Sequence, residues 1–184
     1  MDETAYLNDA RREYRRLKDL ADRALAQISE EDLFHVPDPA SNSLAVVIKH
    51  MSGNMRSRWR DFLTSDGEKP DRHRDKEFVL DEGDTALALR TRWERGWQHT
   101  LGALDALEAD DLGRSVAIRG ESHTVVQAIQ RQLSHYAYHV GQIVQLARSR
   151  AGDDWRALTI PRGASEEFNK NPASYVEEPN ADGG

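Results

Sequence analysis

The chain has 184 residues, a net charge of −7 and no cysteine. Its length suits one domain with a full core, and its acidic balance leaves no electrostatic footprint for a phosphate backbone, which argues against nucleic acid as a partner. Without cysteine there is no disulfide framework, no thiolate zinc site and no cysteine nucleophile, so any thiol chemistry needs a thiol from outside.

The opening stretch MDETAYLNDARREYRR is charged from its second residue and lacks the apolar segment of a signal peptide. No apolar run reaches the roughly 18 residues of a membrane span. The expectation is a cytoplasmic protein with no membrane association. Over residues 3–28, Leu7, Ala10, Tyr14, Leu17, Ala21, Ala24 and Ile28 recur at alternating steps of three and four, the spacing of an amphipathic helix. EEDLFHVPDPASNS breaks that pattern at Pro37 and Pro39, and Ser41, Asn42 or Ser43 can cap a second helix over 43–64. The charged segment SDGEKPDRHRDKEF reads as a loop, and a third helix follows over 84–108. RSVAIRGESHTV alternates around a glycine, which predicts a short hairpin or an extended crossover. A fourth helix covers 124–150, and SEEFN is a candidate short helix beyond it. These elements predict an all-α fold, a four-helix bundle with long connections and a C-terminal extension. The bundle domain takes residues 1–170 and a polar tail 171–184. The long stretch 65–83 argues against simple up-down-up-down topology.

The candidate chemistry lies in HYAYHVGQI, residues 135–143. His135 and His139 are four apart beside the apolar stripe of the fourth helix, in a row with Gln132 and Gln142. Side chains at this spacing sit about 5–6 Å apart at Cβ, so two imidazoles can converge on one ion. On the second helix Leu44, Ile48, Met51, Met55, Trp59 and Phe62 form the stripe, and His50 lies off it in a row with Asn54, Ser57 and Asp61. A third imidazole from a facing helix would complete a site with an open position, the usual arrangement of catalytic zinc. Spacing alone leaves the question open, a half-buried histidine being more often a hydrogen-bonded core residue than a ligand.

Three segments, SNSLAVVIKHMSGNMRSRWRDFLTSDGEKPDRHRDKEF (41–78), HYAYHVGQIVQLAR (135–148) and WRALTIPRGASEEFN (155–169), resemble a bacterial family of unassigned function within the DinB/YfiT-like metalloenzyme superfamily. The resemblance covers nearly the whole chain. It implies a four-helix bundle of unusual connectivity holding one divalent ion (Zn, Ni or Fe) on His50, His135 and His139. Relatives in that superfamily include thiol-dependent S-transferases and a thiol-dependent maleylpyruvate isomerase, which use low-molecular-weight thiols. The resemblance therefore implies a divalent-metal-dependent, thiol S-transferase-like enzyme that activates a thiol or water, which also admits a hydrolase. The alternative is a non-catalytic metal-binding bundle protein induced by stress or damage.

Asn54, Arg58, Gln132 and Gln142 are the candidate substrate contacts. Arg56, Arg58 and Arg60 alternate round the helix, so surface ion pairs are the expected role for most of them. The mixed charges of GEKPDRHRDKEF point to self-pairing, with a lid over the ion as the second reading. His35, His73, His99 and His123 are read as non-ligands, and no obvious general base stands beside the triad. Ser134, Ala137 and Gly141 face away from the core stripe, and with the resemblance they suggest a homodimer contact. Trp155 and the Ile160-Pro161 turn are expected to pack back on the bundle or on a partner subunit.

Overall fold

The structure, a computed structural model, describes residues 2–173. Among them are six helices and one two-stranded sheet: α1 Glu3–Leu25, α2 Glu30–Phe34, α3 Leu44–Trp59, α4 Ala86–Asp105, β1 Ser115–Ile118, β2 Glu121–Thr124, α5 Val125–Ala151 and α6 Ser165–Lys170. The all-α bundle expected from periodicity is present. No described helix is long and apolar enough to cross a membrane. The expected tail lies outside the described residues from residue 174 onward.

Side-chain caps set the helix starts. Asp2, Ser43, Thr85 and Thr124 each accept a hydrogen bond from a backbone amide three residues on, which satisfies one of the orphan donors of a first turn. Ser29 and Asp32 form a reciprocal capping box that starts the short α2. Periodicity did not predict this helix, because five residues are too few to show a 3.6-residue repeat. The second long helix ends at Trp59 and not at residue 64: Arg60 is extended, and Asp61 has φ 49°.

The four long helices are not joined in ring order. α1 packs mainly on α5 and also on α4, while α3 packs mainly on α4 and also on α5. Hence α1 and α3 face each other across the core, as do α4 and α5, and only α3 and α4 are neighbours both in sequence and in space. One aromatic from each long helix meets at the centre. Tyr14 stands edge-on to Trp59 and Tyr136 at 5.6 and 5.9 Å, and Trp97 stands edge-on to Tyr136 at 5.9 Å. Tyr14 Oη donates to the Ile129 carbonyl at 2.8 Å, and Trp59 Nε1 donates to Tyr136 Oη at 2.9 Å. Such edge-to-face pairs add about 0.5–1.5 kcal/mol each beyond burial.

Thirteen of the sixteen residues of α3 are buried. Two helices cover two of its sides, and the connection after it folds back along a third through a 3₁₀ turn at Arg74–Phe78. The polar row His50, Asn54, Ser57, which lies off the apolar stripe, is therefore interior all the same. Asp61, placed in that row by extending the helix, is exposed and outside it.

The hairpin closes through Arg119 and Gly120, both with positive φ, 57° and 75°. This is the two-residue turn that matches strand twist, although a non-glycine in that region costs about 1–2 kcal/mol. The Asp66 carboxylate offsets the cost by accepting from the Arg119, Gly120 and Glu68 amides at 2.9, 2.7 and 2.7 Å. These bonds hold its pKa below the ordinary carboxylate value, the Glu68 amide first. The Gly67 amide also donates to the Ala117 carbonyl at 2.8 Å, so the hairpin tip is pinned to the loop over α3. Asp66→Ala is expected to lose about 1–2 kcal/mol, a discounted value because the site is partly solvated. Amide exchange at Arg119 and Gly120 should accelerate while the α1–α5 interface keeps its protection.

At the C-terminal end Trp155 packs against the core, and the Gln27 side chain bonds the backbone of Arg156 from both sides. Ile160 is exposed and Pro161 with it, so within this chain the tryptophan packs on the bundle and the Ile160-Pro161 turn does not.

Candidate metal centre

α3 contributes His50, and α5 contributes His135 and His139 one turn apart. Because α3 and α5 are packed neighbours, the three rings meet. One ring nitrogen from each lies within 4.8 Å of the others, and the ring centroids are 4.7 to 5.5 Å apart. His50 is buried, and the two α5 histidines are half-buried.

Hydrogen bonds on the far side of two rings decide which nitrogens face inward. His50 Nδ1 lies 2.9 Å from Glu77 Oε2, and His139 Nδ1 lies 2.8 Å from Gln142 Oε1. An ionised carboxylate and an amide oxygen can only accept, so Nδ1 carries a proton in both rings, and in a neutral ring that leaves the lone pair on Nε2. His139 Nε2 and His135 Nε2 stand 3.1 Å apart. Two ring nitrogens that close share either a proton or a cation. Imidazoles on a tetrahedral zinc at about 2.0–2.1 Å would sit about 3.3 Å apart, so a small adjustment accommodates an ion. Burial first, then the His139 and His50 imidazoles, push the His135 pKa down to about 3. Burial also lowers His139. Both rings are thus neutral near pH 7, the protonation state that ligates metal.

Glu77 is the residue the sequence reading missed. It arrives on the loop after α3, and both its oxygens accept from Arg72, each at 2.9 Å. Burial raises its pKa, but the hydrogen bonds from His50 and Arg72 outweigh that, and the net shift is downward. Gly53 makes room for it, since a Cβ there would stand 2.7 Å from the Glu77 carboxyl carbon. A carboxylate behind a histidine fixes its tautomer and ring orientation and raises its basicity toward an ion. The charge pattern did signal self-pairing in this loop, and Arg72–Glu77 is such a pair. Nothing in the local pattern singled out Glu77 as the acid that reaches His50.

The other candidate residues divide. Asn54 is buried and accepts from Tyr136 Oη at 3.1 Å. Arg58 is buried, donating to Glu68 Oε2 at 3.0 Å and to the Gly67 carbonyl. Gln132 is buried with its Oε1 unpaired. These three line a cavity of about 240 Å³ together with His50 and His135. Gln142 does not line it and orients His139 instead. Arg56 and Arg60 pair with Asp71 at the surface, as expected. His73 and His99 line a larger cavity of about 560 Å³ on the other side of the Arg72–Glu77 pair. Neither they nor His35 and His123 join the triad.

Fold and site together define a helical-bundle protein with a three-histidine cluster braced by a carboxylate. Residues 2–164 match the family described as "Protein of unknown function (DUF1572)", and the chain belongs to that family. No curated protein matches the chain.

Proposed function

We propose that the protein is a divalent-metal-dependent enzyme of the thiol S-transferase type, with His50, His135 and His139 as the ligands of one Zn, Ni or Fe ion. The observation that carries this reading is the convergence of three imidazoles, two of them held by acceptors on their far nitrogens. The resemblance to the DinB/YfiT-like superfamily supports it. Three imidazoles suit these ions without choosing among them. When bound, such an ion supplies Lewis acidity that lowers the pKa of a thiol or water at its open position. The chain's own residues do the rest. Glu77 and Gln142 hold the rings, Phe78 covers His50 with ring centroids 4.7 Å apart, and the cavity beside His50 and His135 receives the reactants. Because the chain has no cysteine, the thiol would be a low-molecular-weight cosubstrate.

Among the described residues no carboxylate or further histidine joins the triad. That favours an open, catalytic site over a closed ion that merely braces the bundle. A homodimer belongs to the same proposal. Ser134, Ala137 and Gly141 are exposed on α5 beside Tyr138, itself 65% exposed, and the small residues would let a second helix approach closely.

The test is elemental analysis of protein purified without a histidine tag, wild type beside His135→Ala. The expected result is about one divalent ion per wild-type chain and none in the variant. No metal in the wild type, and none taken up when Zn, Ni or Fe is offered, would overturn the proposal. Metal-loaded wild type that turns over no thiol–electrophile pair would leave the non-catalytic alternative.

A further inference from the structure

The cavity beside the histidines has an unusual lining for a chain with net charge −7. Five arginines face it, Arg58, Arg72, Arg74, Arg119 and Arg131, and no acidic residue is among its lining. Two carboxylates stand behind them. Glu68 is shared by Arg58, Arg72 and Arg119 at 3.0, 3.3 and 3.1 Å, and Glu77 is taken by Arg72. Five guanidiniums against these two carboxylates and Asp75, which stands beside Arg74, leave a local surplus of two positive charges.

Two of the five are poised at the rim. Arg131 has no carboxylate partner among the described residues, and its guanidinium hydrogen-bonds His123 Nε2 at 3.0 Å. Arg74 lies over the Phe78 ring, 5.0 Å from its centroid, and 3.7 Å from the fully exposed Asp75. Deeper in, Arg58 Nε is a buried donor without an acceptor, and Gln132 Oε1 a buried acceptor without a donor. Buried polar groups are rarely left so; both residues line the cavity, and of the two the Arg58 donor is the one that matches an anion. The arginines come from α3, the loop after it, the hairpin tip and α5. Asp66 holds the hairpin tip so that Arg119 reaches the cavity. The larger cavity differs: Asp71, Glu77 and Asp81 lie among its lining, and none of the three histidines does.

We propose that this cavity binds the oxyanion head of the substrate, a carboxylate or phosphate on a small molecule, and presents the rest of it to the histidine centre. Guanidinium is the group that recognises both anions through paired planar hydrogen bonds. A cavity of about 240 Å³ holds a headgroup and not a large molecule. The assignment of this anion as substrate rests on the metal-enzyme reading above, whereas the anion site itself does not.

Isothermal titration with inorganic phosphate and with succinate tests it, on wild type, Arg131→Gln, Arg74→Gln and His139→Ala, with metal content measured on each. Both rim arginines are exposed, so their variants should fold. The expected result is saturable binding that weakens with added NaCl and falls about tenfold in each arginine variant, with metal content unchanged. His139→Ala should lose its metal and keep the anion. Tighter succinate would assign a carboxylate head, tighter phosphate a phosphoryl head. No binding of either anion to protein with its metal intact would overturn the anion site and leave the metal reading standing. Binding lost in His139→Ala but unchanged in the arginine variants would place the anion on the ion and also overturn it. Arginine-dependent binding in a protein that takes up no metal would support the anion site while the metal reading falls.

Discussion

Glu77→Ala is expected to destabilise the protein by about 3 kcal/mol and to weaken divalent-metal binding about 10- to 100-fold. The side chain is 9% exposed and its partner Arg72 4% exposed, so the substitution strands a buried guanidinium. Removing one partner of such a pair costs about 3–5 kcal/mol. The lower end applies because Arg72 keeps Glu68 at 3.3 Å. For a chain of this size the loss corresponds to about 6–12 °C in Tm. The metal effect has a separate origin, since His50 would lose the acceptor that fixes its Nδ1 proton. Metal titration of Glu77→Ala and Glu77→Gln separates the two. Glutamine can still accept from His50, so it should keep more metal affinity than alanine. Acid should narrow the gap between wild type and Glu77→Ala. The folded pKa of Glu77 is lowered from the ordinary 4.5, so its stabilisation is full above that value and lost as pH falls through the lowered one. Urea melts at pH 7 and pH 3 would show it, and an equal gap at both would contradict the pairing.

The second large effect is expected from Tyr136→Phe, a loss of about 2–4 kcal/mol. Tyr136 is fully buried where one aromatic from each long helix meets. Its hydroxyl accepts from Trp59 Nε1 and donates to Asn54 Oδ1. Phenylalanine keeps the ring contacts and deletes only the oxygen, leaving the Trp59 donor and the Asn54 acceptor unpaired in the interior. At about 1–2 kcal/mol for each unpaired buried group, the lower part of the usual range, the loss comes to about 4–16 °C in Tm. Burial raises the Tyr136 pKa, so the phenol stays protonated and the effect should not vary between pH 6 and 9. Thermal denaturation over that range checks both points, and a shift of less than about 2 °C would show that the hydroxyl is not holding α3 to α5.

Much of this molecule is legible along the chain. The step of three and four from Leu7 to Ala24 makes α1 amphipathic, and the same period marks α3, α4 and α5. Alternation around Gly120 marks the hairpin. These signals depend on residues a few positions apart, so they can be read without knowing what the helices pack against. Likewise His135 and His139 meet because one turn of helix separates them, whatever surrounds α5.

His50 reaches that pair only because α3 lies beside α5, a neighbour relation set by the crossing links over residues 26–43 and 106–124 and not by sequence order. Periodicity also set His50 off the apolar stripe of its helix, whereas the returning loop buries it. That loop carries the acid that orients His50, and its path is fixed by contacts distant in sequence: Asp66 on the hairpin tip, Gly67 on Ala117, Glu77 in the space left by Gly53. The arginine cavity is assembled from four segments in the same way. Periodicity and spacing by themselves determined the helices, the hairpin and one histidine pair, because local hydrogen bonding and local amphipathicity are short-range. Only the tertiary structure decided the third histidine's burial, its carboxylate partner and the surplus of positive charge, because each depends on chain closure between residues 20 to 80 positions apart, roughly the scale on which packing and not local propensity selects the partner.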